Sequence, residues 1–153
     1  MRRCVLLLAF ALITANRPLM GQSQVVGIRD LAFGAVIRGV QTTVAPSDPI
    51  RSGRFYVRHQ LTRQVRLTFT LPTQLARVGG GGNLPISFST TDAIARGTAA
   101  NSNPVTFNPN NPITFTLTTS ADFNVNLGGR VSPAANQATG SYWGTVTLTC
   151  TFF

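Results

Sequence analysis

The sequence predicts an all-β, antiparallel fold, and three observations predict it. Apolar and polar residues alternate with period two through most of the apolar segments. Those segments are separated by clusters rich in Pro, Asn, Gly and Ser. Only one stretch, TTDAIARG at 90–97, reads as helix. Alternation of this kind marks strands with one face in a core and the other in solvent.

Taken in order, RDLAFGAVI (29–37) offers Leu31 and Phe33 to one face. GRFYVRH (53–59) turns Phe55 and Val57 inward and Arg54, Tyr56 and Arg58 outward. QVRLTFTL (64–71) sets Val65, Leu67, Phe69 and Leu71 against Gln64, Arg66, Thr68 and Thr70. LPISF (84–88), ITFTL (113–117) and FNVNL (123–127) repeat the pattern. APSDPIRSG (45–53), VGGGGN (78–83), NSNPVTFNPNNP (101–112) and GGRVSPAANQATG (128–140) are the punctuation between strands. In 90–97, Thr90 or Thr91 would cap a helix of one or two turns and Gly97 would end it. Roughly eight short strands with at most one short helix give an immunoglobulin-like β-sandwich, with a barrel as the second architecture.

The N-terminus is expected to be a leader. MRR is followed by the apolar run Cys4 to Ala15 and then by NRPLMGQ. The run is too short to cross about 30 Å of hydrocarbon, so it reads as a secretory signal peptide and not as an anchor. Cleavage is expected after Ala15 or Gly21, which leaves one domain over 22–153 and no transmembrane segment in the mature form. Cys150 is then the remaining cysteine, on the core face of a strand.

All 13 basic residues of the 153-residue chain are arginine, and its four acidic residues are Asp30, Asp48, Asp92 and Asp122. The formal net charge is +9, although charged residues make up only 11% of the chain. The absence of Lys and Glu excludes Schiff-base chemistry and a P-loop. His59 is the single histidine, and one Cys plus scattered Asp do not supply zinc-ligand spacing. GSYWG does not place its serine as G-x-S-x-G requires, and no aspartate pair has a local motif. The chain therefore reads as non-enzymatic, with no metal or cofactor. Arg54, Tyr56, Arg58 and Arg66 form a candidate polyanion face; the blander reading is a solvated, soluble sheet surface.

The most informative stretch is GSYWGTVTLTCTFF (140–153). Tyr142, Gly144, Val146, Leu148, Cys150 and Phe152 fall on one face, and Ser141, Trp143, Thr145, Thr147, Thr149 and Thr151 on the other. As one strand it would be about twice the usual length of 5–6 residues. Burial of Val146, Leu148 and Phe152 would contribute about 1.5–3 kcal/mol each.

With Gly140 and the penultimate aromatic Phe152, this stretch resembles the final strand of chaperone–usher pilins. A second resemblance covers nearly the whole mature chain. LAFG (31–34), SGRFYV (52–57), LTFTLPT (67–73), FNP (107–109), LGGRVSP (127–133) and NQATGSYWG (136–144) look like a family of secreted, pilin-like bacterial domains of unknown function, related in pattern to spore-coat-U-type domains. The resemblance implies a groove beside the last strand, filled first by a periplasmic chaperone and then by the N-terminal extension of another subunit. Two departures stand out. The early-strand disulfide of many pilins has no counterpart, and only QSQVVGIRD (22–30) precedes LAFG.

The sequence thus leads to an exported structural or adhesive subunit of a pilus-like appendage or surface coat. The expected interface is Val26, Ile28, Leu31 and Phe33 as donor residues, and Gly140, Tyr142, Val146, Leu148, Cys150 and Phe152 beside the acceptor groove. Expected partners are other copies or related subunits and a periplasmic chaperone, with no nucleic acid. The alternative is a monomeric secreted module that binds a surface glycan or other polyanion. A self-complete domain, with residues 22–33 as its own first strand, is the competing topology.

Overall fold

Alternation becomes hydrogen-bonded ladders. The computed structural model describes residues 24–58, 63–97, 103–117 and 122–153, and within them it places thirteen strands and no helix. They are β1 Gln24–Arg29, β2 Thr42–Val44, β3 Gly53–Arg58, β4 Arg63–Thr70, β5 Gln74–Arg77, β6 Asn83–Ser87 and β7 Ala93–Gly97. After these come β8 Val105–Phe107, β9 Ile113–Leu117, β10 Phe123–Leu127, β11 Gly129–Val131, β12 Tyr142–Trp143 and β13 Thr147–Phe152. Three antiparallel sheets result, with strand orders β1-β3-β10-β7-β8, β12-β5-β6-β11-β2 and β13-β4-β9. The expected leader at 1–21, and His59, lie outside the described residues.

The first and third sheets share the larger core. Val57, Val125 and Leu127 come from the first, Val65 and Leu67 from the third, and all five are almost fully buried. Phenylalanines join the two sheets. Phe55 meets Phe69 at 5.8 Å, Phe69 stacks on Phe107 at 6.5 Å, and Phe115 contacts Phe107 and Phe123 at 5.9 and 6.4 Å. Such pairs add about 0.5–1.5 kcal/mol each beyond their buried area. The second sheet carries a smaller core of Leu84, Ile86 and Val131, with Phe33, Val36, Leu75 and Tyr142 packed on it.

The second and third sheets are two parts of one bent ribbon. β4 runs on into β5 and pairs with β13, while β5 pairs with β12. Trp143 pairs with Ala76 and Thr147 with Thr70, so three residues on one side of the bend face five on the other. This corrects the expectation of a single strand over 141–152. Gly144 lies at the bend, where a Cβ would come within 2.8 Å of Leu75 Cδ2 on the other side of the ribbon.

Two further expectations are overturned. The 90–97 stretch is not helical. Ser89 N donates to Asp92 Oδ2 at 2.7 Å and Asp92 N to Ser89 O at 3.3 Å, which closes a turn. The following Ala93–Gly97 is β7, paired on both sides by β10 and β8. Ala93 and Ala95 are buried in the core, and this packing outweighs alanine's modest helix preference. Residues 29–37 are also not a strand. The strand lies earlier, at β1, and the chain from Asp30 to Gln41 is irregular, with Gly34 and Gly39 both at φ 70°. Arg29 fixes its start by donating through Nε to Ser52 O at 2.7 Å, and Ala32 N donates to Arg51 O at 2.9 Å.

Candidate functional site

β13 is held from one side. Its register with β4 is unbroken, from Thr147 opposite Thr70 to Phe152 opposite Val65. One bond sets the phase: Phe153 N donates to Gln64 O at 2.9 Å. In an antiparallel ladder, residues bonded to a given neighbour alternate with residues whose N–H and C=O face away. The main-chain groups of Thr147, Thr149 and Thr151 are therefore directed to β4, and those of Leu148 and Cys150 to the opposite side. Among the described residues, no strand lies on that side of β13.

The side chains of β13 divide just as sharply. Leu148 is buried in the larger core, and Val146, Cys150 and Phe152 pack half-buried against it. Thr147, Thr149 and Thr151 are exposed. Natural edge strands are usually guarded by charge, proline, a bulge or brevity. TLTCTF is six residues long and contains no charge and no proline, and its register has no slip. Burial pushes the Cys150 thiol up to about 11, so this cysteine is a packing residue and not an activated nucleophile.

The residues expected as donors are divided between two places. β1 pairs with β3 in the first sheet, not with β13. Val26 lies opposite Tyr56, and Ile28 falls where the register slips between Gly27 and Arg29. Val25 and Ile28 are exposed, at 37% and 56%. Leu31 and Phe33 instead line a groove of about 910 Å3, together with Leu75, Ile86, Tyr142 and Val146. Gly140 borders the same groove at φ 145°, against the Arg77 side chain. Arg77 fastens this wall by donating through Nε to Thr139 O at 2.8 Å and through Nη1 to Gly80 O at 3.0 Å. The groove thus gathers Leu31, Phe33, Gly140, Tyr142 and Val146. Leu148, Cys150 and Phe152 continue along β13 beyond it, and Val26 and Ile28 lie apart on β1.

The four residues expected on one polyanion face do not share one. Arg54, Tyr56 and Arg58 project from the outer side of the first sheet, because Phe55 and Val57 between them face the core. Arg66 alternates with the buried Val65 and Leu67 and so projects from the outer side of the third sheet. Arg58 pairs with Asp122 at 3.5 Å, Tyr56 donates its hydroxyl to Asp122, and Arg54 Nε donates to Asn124 Oδ1 at 3.1 Å. The hydrogen bond to Asp122 raises the Tyr56 phenol above its usual value. Asn124, Asn126 and Arg96 join this outer face through strand register, which composition alone does not reveal. The available signal was two asparagines inside FNVNL, a residue type that strands avoid.

Among the described residues, no group of three or more His, Cys, Asp or Glu could hold a metal ion, and no helix is long and apolar enough to cross a membrane. Comparison of the chain with protein-family models, with curated proteins and with solved structures gives no match.

Proposed function

We propose that the chain is a non-enzymatic, exported structural subunit, a pilin-like, immunoglobulin-like β-sandwich that joins other copies or related subunits by accepting a strand along β13. The observation that carries this reading is the unguarded edge of β13, where the main-chain groups of Leu148 and Cys150 face away from β4. An extended segment laid there gains main-chain hydrogen bonds, and where it runs on past Val146 it meets the groove lined by Leu31, Phe33, Leu75 and Tyr142. The donor is the segment Val25–Phe33 of a neighbouring copy. Its first part, β1, is an edge strand with Val25 and Ile28 exposed, so releasing it from β3 forfeits little burial. The proposal includes export by the leader at 1–21 and temporary cover of the edge by a periplasmic chaperone.

The test is electrophoresis in SDS of the protein purified from the cell envelope, with and without boiling. Strand-exchanged polymers give a ladder that collapses on boiling. A single band of monomer size in both lanes overturns the proposal.

A further inference from the structure

The donor segment Val25–Phe33 is gripped at its middle. On the N-terminal side of Arg29, β1 pairs with β3; on the C-terminal side, Leu31 and Phe33 line the groove. At Arg29 itself the ladder slips, since Gly27 lies opposite Phe55 and Arg29 opposite Arg54, the adjacent residue of β3. Ile28 is the extra residue, and a bulge of this kind re-aims the side chain beside it. The Arg29 guanidinium turns onto the loop that precedes β3. Nε donates to Ser52 O at 2.7 Å, Nη2 to Ser52 Oγ at 2.9 Å, and Nη1 to Pro49 O. All three of its nitrogens are engaged by this one turn.

The turn is built to receive it. Ser52 is fully buried and donates through Oγ to Asp48 O at 2.6 Å. Asp48 Oδ1 accepts from Ile50 N at 2.9 Å and Arg51 N at 2.8 Å, and Asp48 Oδ2 pairs with Arg51 Nε at 3.1 Å. These bonds are internal to residues 48–52, so the acceptors for Arg29 are held in place. Burial contributes little to holding β1, because Gln24, Val25, Gly27 and Ile28 are exposed. Hydrogen bonds from a charged donor are roughly twice as strong as neutral ones. Arg29, half-buried at the end of an exposed edge strand, makes three of them.

We propose that Arg29 and the 48–52 turn form an autoinhibitory clasp that holds the donor segment on its own chain until assembly. This inference rests on the strand-accepting role of β13 proposed above. The two ends of the exchange are then controlled differently. Among the described residues the β13 edge is open, while the segment that would fill a neighbour's edge is tied to its own chain by Arg29. With the clasp closed, β1 cannot leave β3 for another copy. Assembly draws on the small fraction of chains in which the clasp is open, and its rate scales with that fraction. A second copy thus meets an acceptor that is ready and a donor that is not.

The experiment compares the full chain with Ser52→Ala, which leaves the donor segment and β13 unaltered, and with Arg29→Gln, which removes the guanidinium and spares the turn. Hydrogen exchange followed by mass spectrometry reads the release of β1, and unboiled SDS gels over time read assembly. Loss of a charge-assisted contact is expected to speed exchange in β1 about tenfold, with β4 and β13 exchanging as in the parent, and to bring on the ladder about tenfold sooner. Unchanged exchange in β1 of both variants overturns the clasp, as does exchange that rises equally in β4 and β13. Faster exchange in β1 with a ladder that forms at the parent's rate overturns its inhibitory role. A ladder absent from all three samples overturns strand acceptance itself and the clasp's role with it; the other failures leave strand acceptance standing.

Discussion

Proline scanning of β13 separates its two sides. Thr149 and Cys150 are adjacent, but the main chain of Thr149 is directed to Thr68 on β4, while that of Cys150 faces the open edge. Thr149→Pro removes a ladder donor and drives the ring against β4, at about 3 kcal/mol or more by analogy with proline inside other hydrogen-bonded elements. That is a large part of a typical 5–15 kcal/mol folding stability. Cys150→Pro removes an N–H that no strand of the described chain uses, which is the placement edge strands tolerate. It trades a half-buried thiol for a ring and is expected to cost the monomer about 1 kcal/mol. At the open edge it deletes one donor, worth about 1 kcal/mol net, and its ring holds an incoming strand away. Cys150→Pro is therefore expected to give a folded monomer and at least about tenfold less polymer. Thr149→Pro is expected to lower the melting temperature first. Thermal denaturation followed by circular dichroism, with unboiled gels of the same samples, reads both. Parental polymer yield from Cys150→Pro, with its fold intact, refutes the assignment of the open side.

Other outcomes follow from the same structure. Gly128→Ala would place a Cβ 2.4 Å from Val44 O and 2.7 Å from Pro46 N, both backbone atoms; a loss of about 1–3 kcal/mol in urea denaturation is expected. Leu67→Ala empties a site that is 1% exposed at the centre of the larger core and is expected to cost about 2–5 kcal/mol in the same assay. The Cys150 thiol, raised from 9.0 to about 11, should react slowly with a thiol reagent at pH 8 until denaturant is added. Because its folded value lies above its unfolded one, the native state binds the extra proton between those values; the contribution of this thiol to stability is constant below pH 9 and falls from there towards 11. Asp122→Ala removes the acceptor that raises the Tyr56 phenol, so alkaline titration followed by ultraviolet absorbance should move that tyrosine's transition to lower pH.

What was legible in the chain was whatever repeated for five residues or more. β4, β9 and β10 appear where Val65 to Leu71, Ile113 to Leu117 and Phe123 to Leu127 alternate, because a long enough run defines a period. β2, β8 and β11 have three residues each and β12 has two, too few to define one. β8 was hidden inside a stretch rich in Pro and Asn that reads as loop. The 90–97 misreading arose because Ala93 and Ala95 favour helix in isolation, while their value here is small size against β10. Tyr142, Val146, Leu148, Cys150 and Phe152 of the expected inner face do pack inward, but Gly144 is exposed and the division of the stretch there was not legible. That division depends on Leu75 and Gln74, far away in sequence. The arginines were visible as a group, yet only pairing could assign Arg66 to one sheet and Arg54, Arg58 and Arg96 to another.

The bent ribbon has a mechanical consequence. The same two chain segments, β4–β5 and β12–β13, line both cores, with Tyr142 in the smaller and Leu148 in the larger. Tension applied lengthwise to β13 acts along its ladder with β4, where the bonds resist together in shear, and passes through the bend at Gly144 into the second cluster. Neither core can yield alone without unpicking the ribbon that serves the other. A chain built this way should lengthen under force in one abrupt event and not in two.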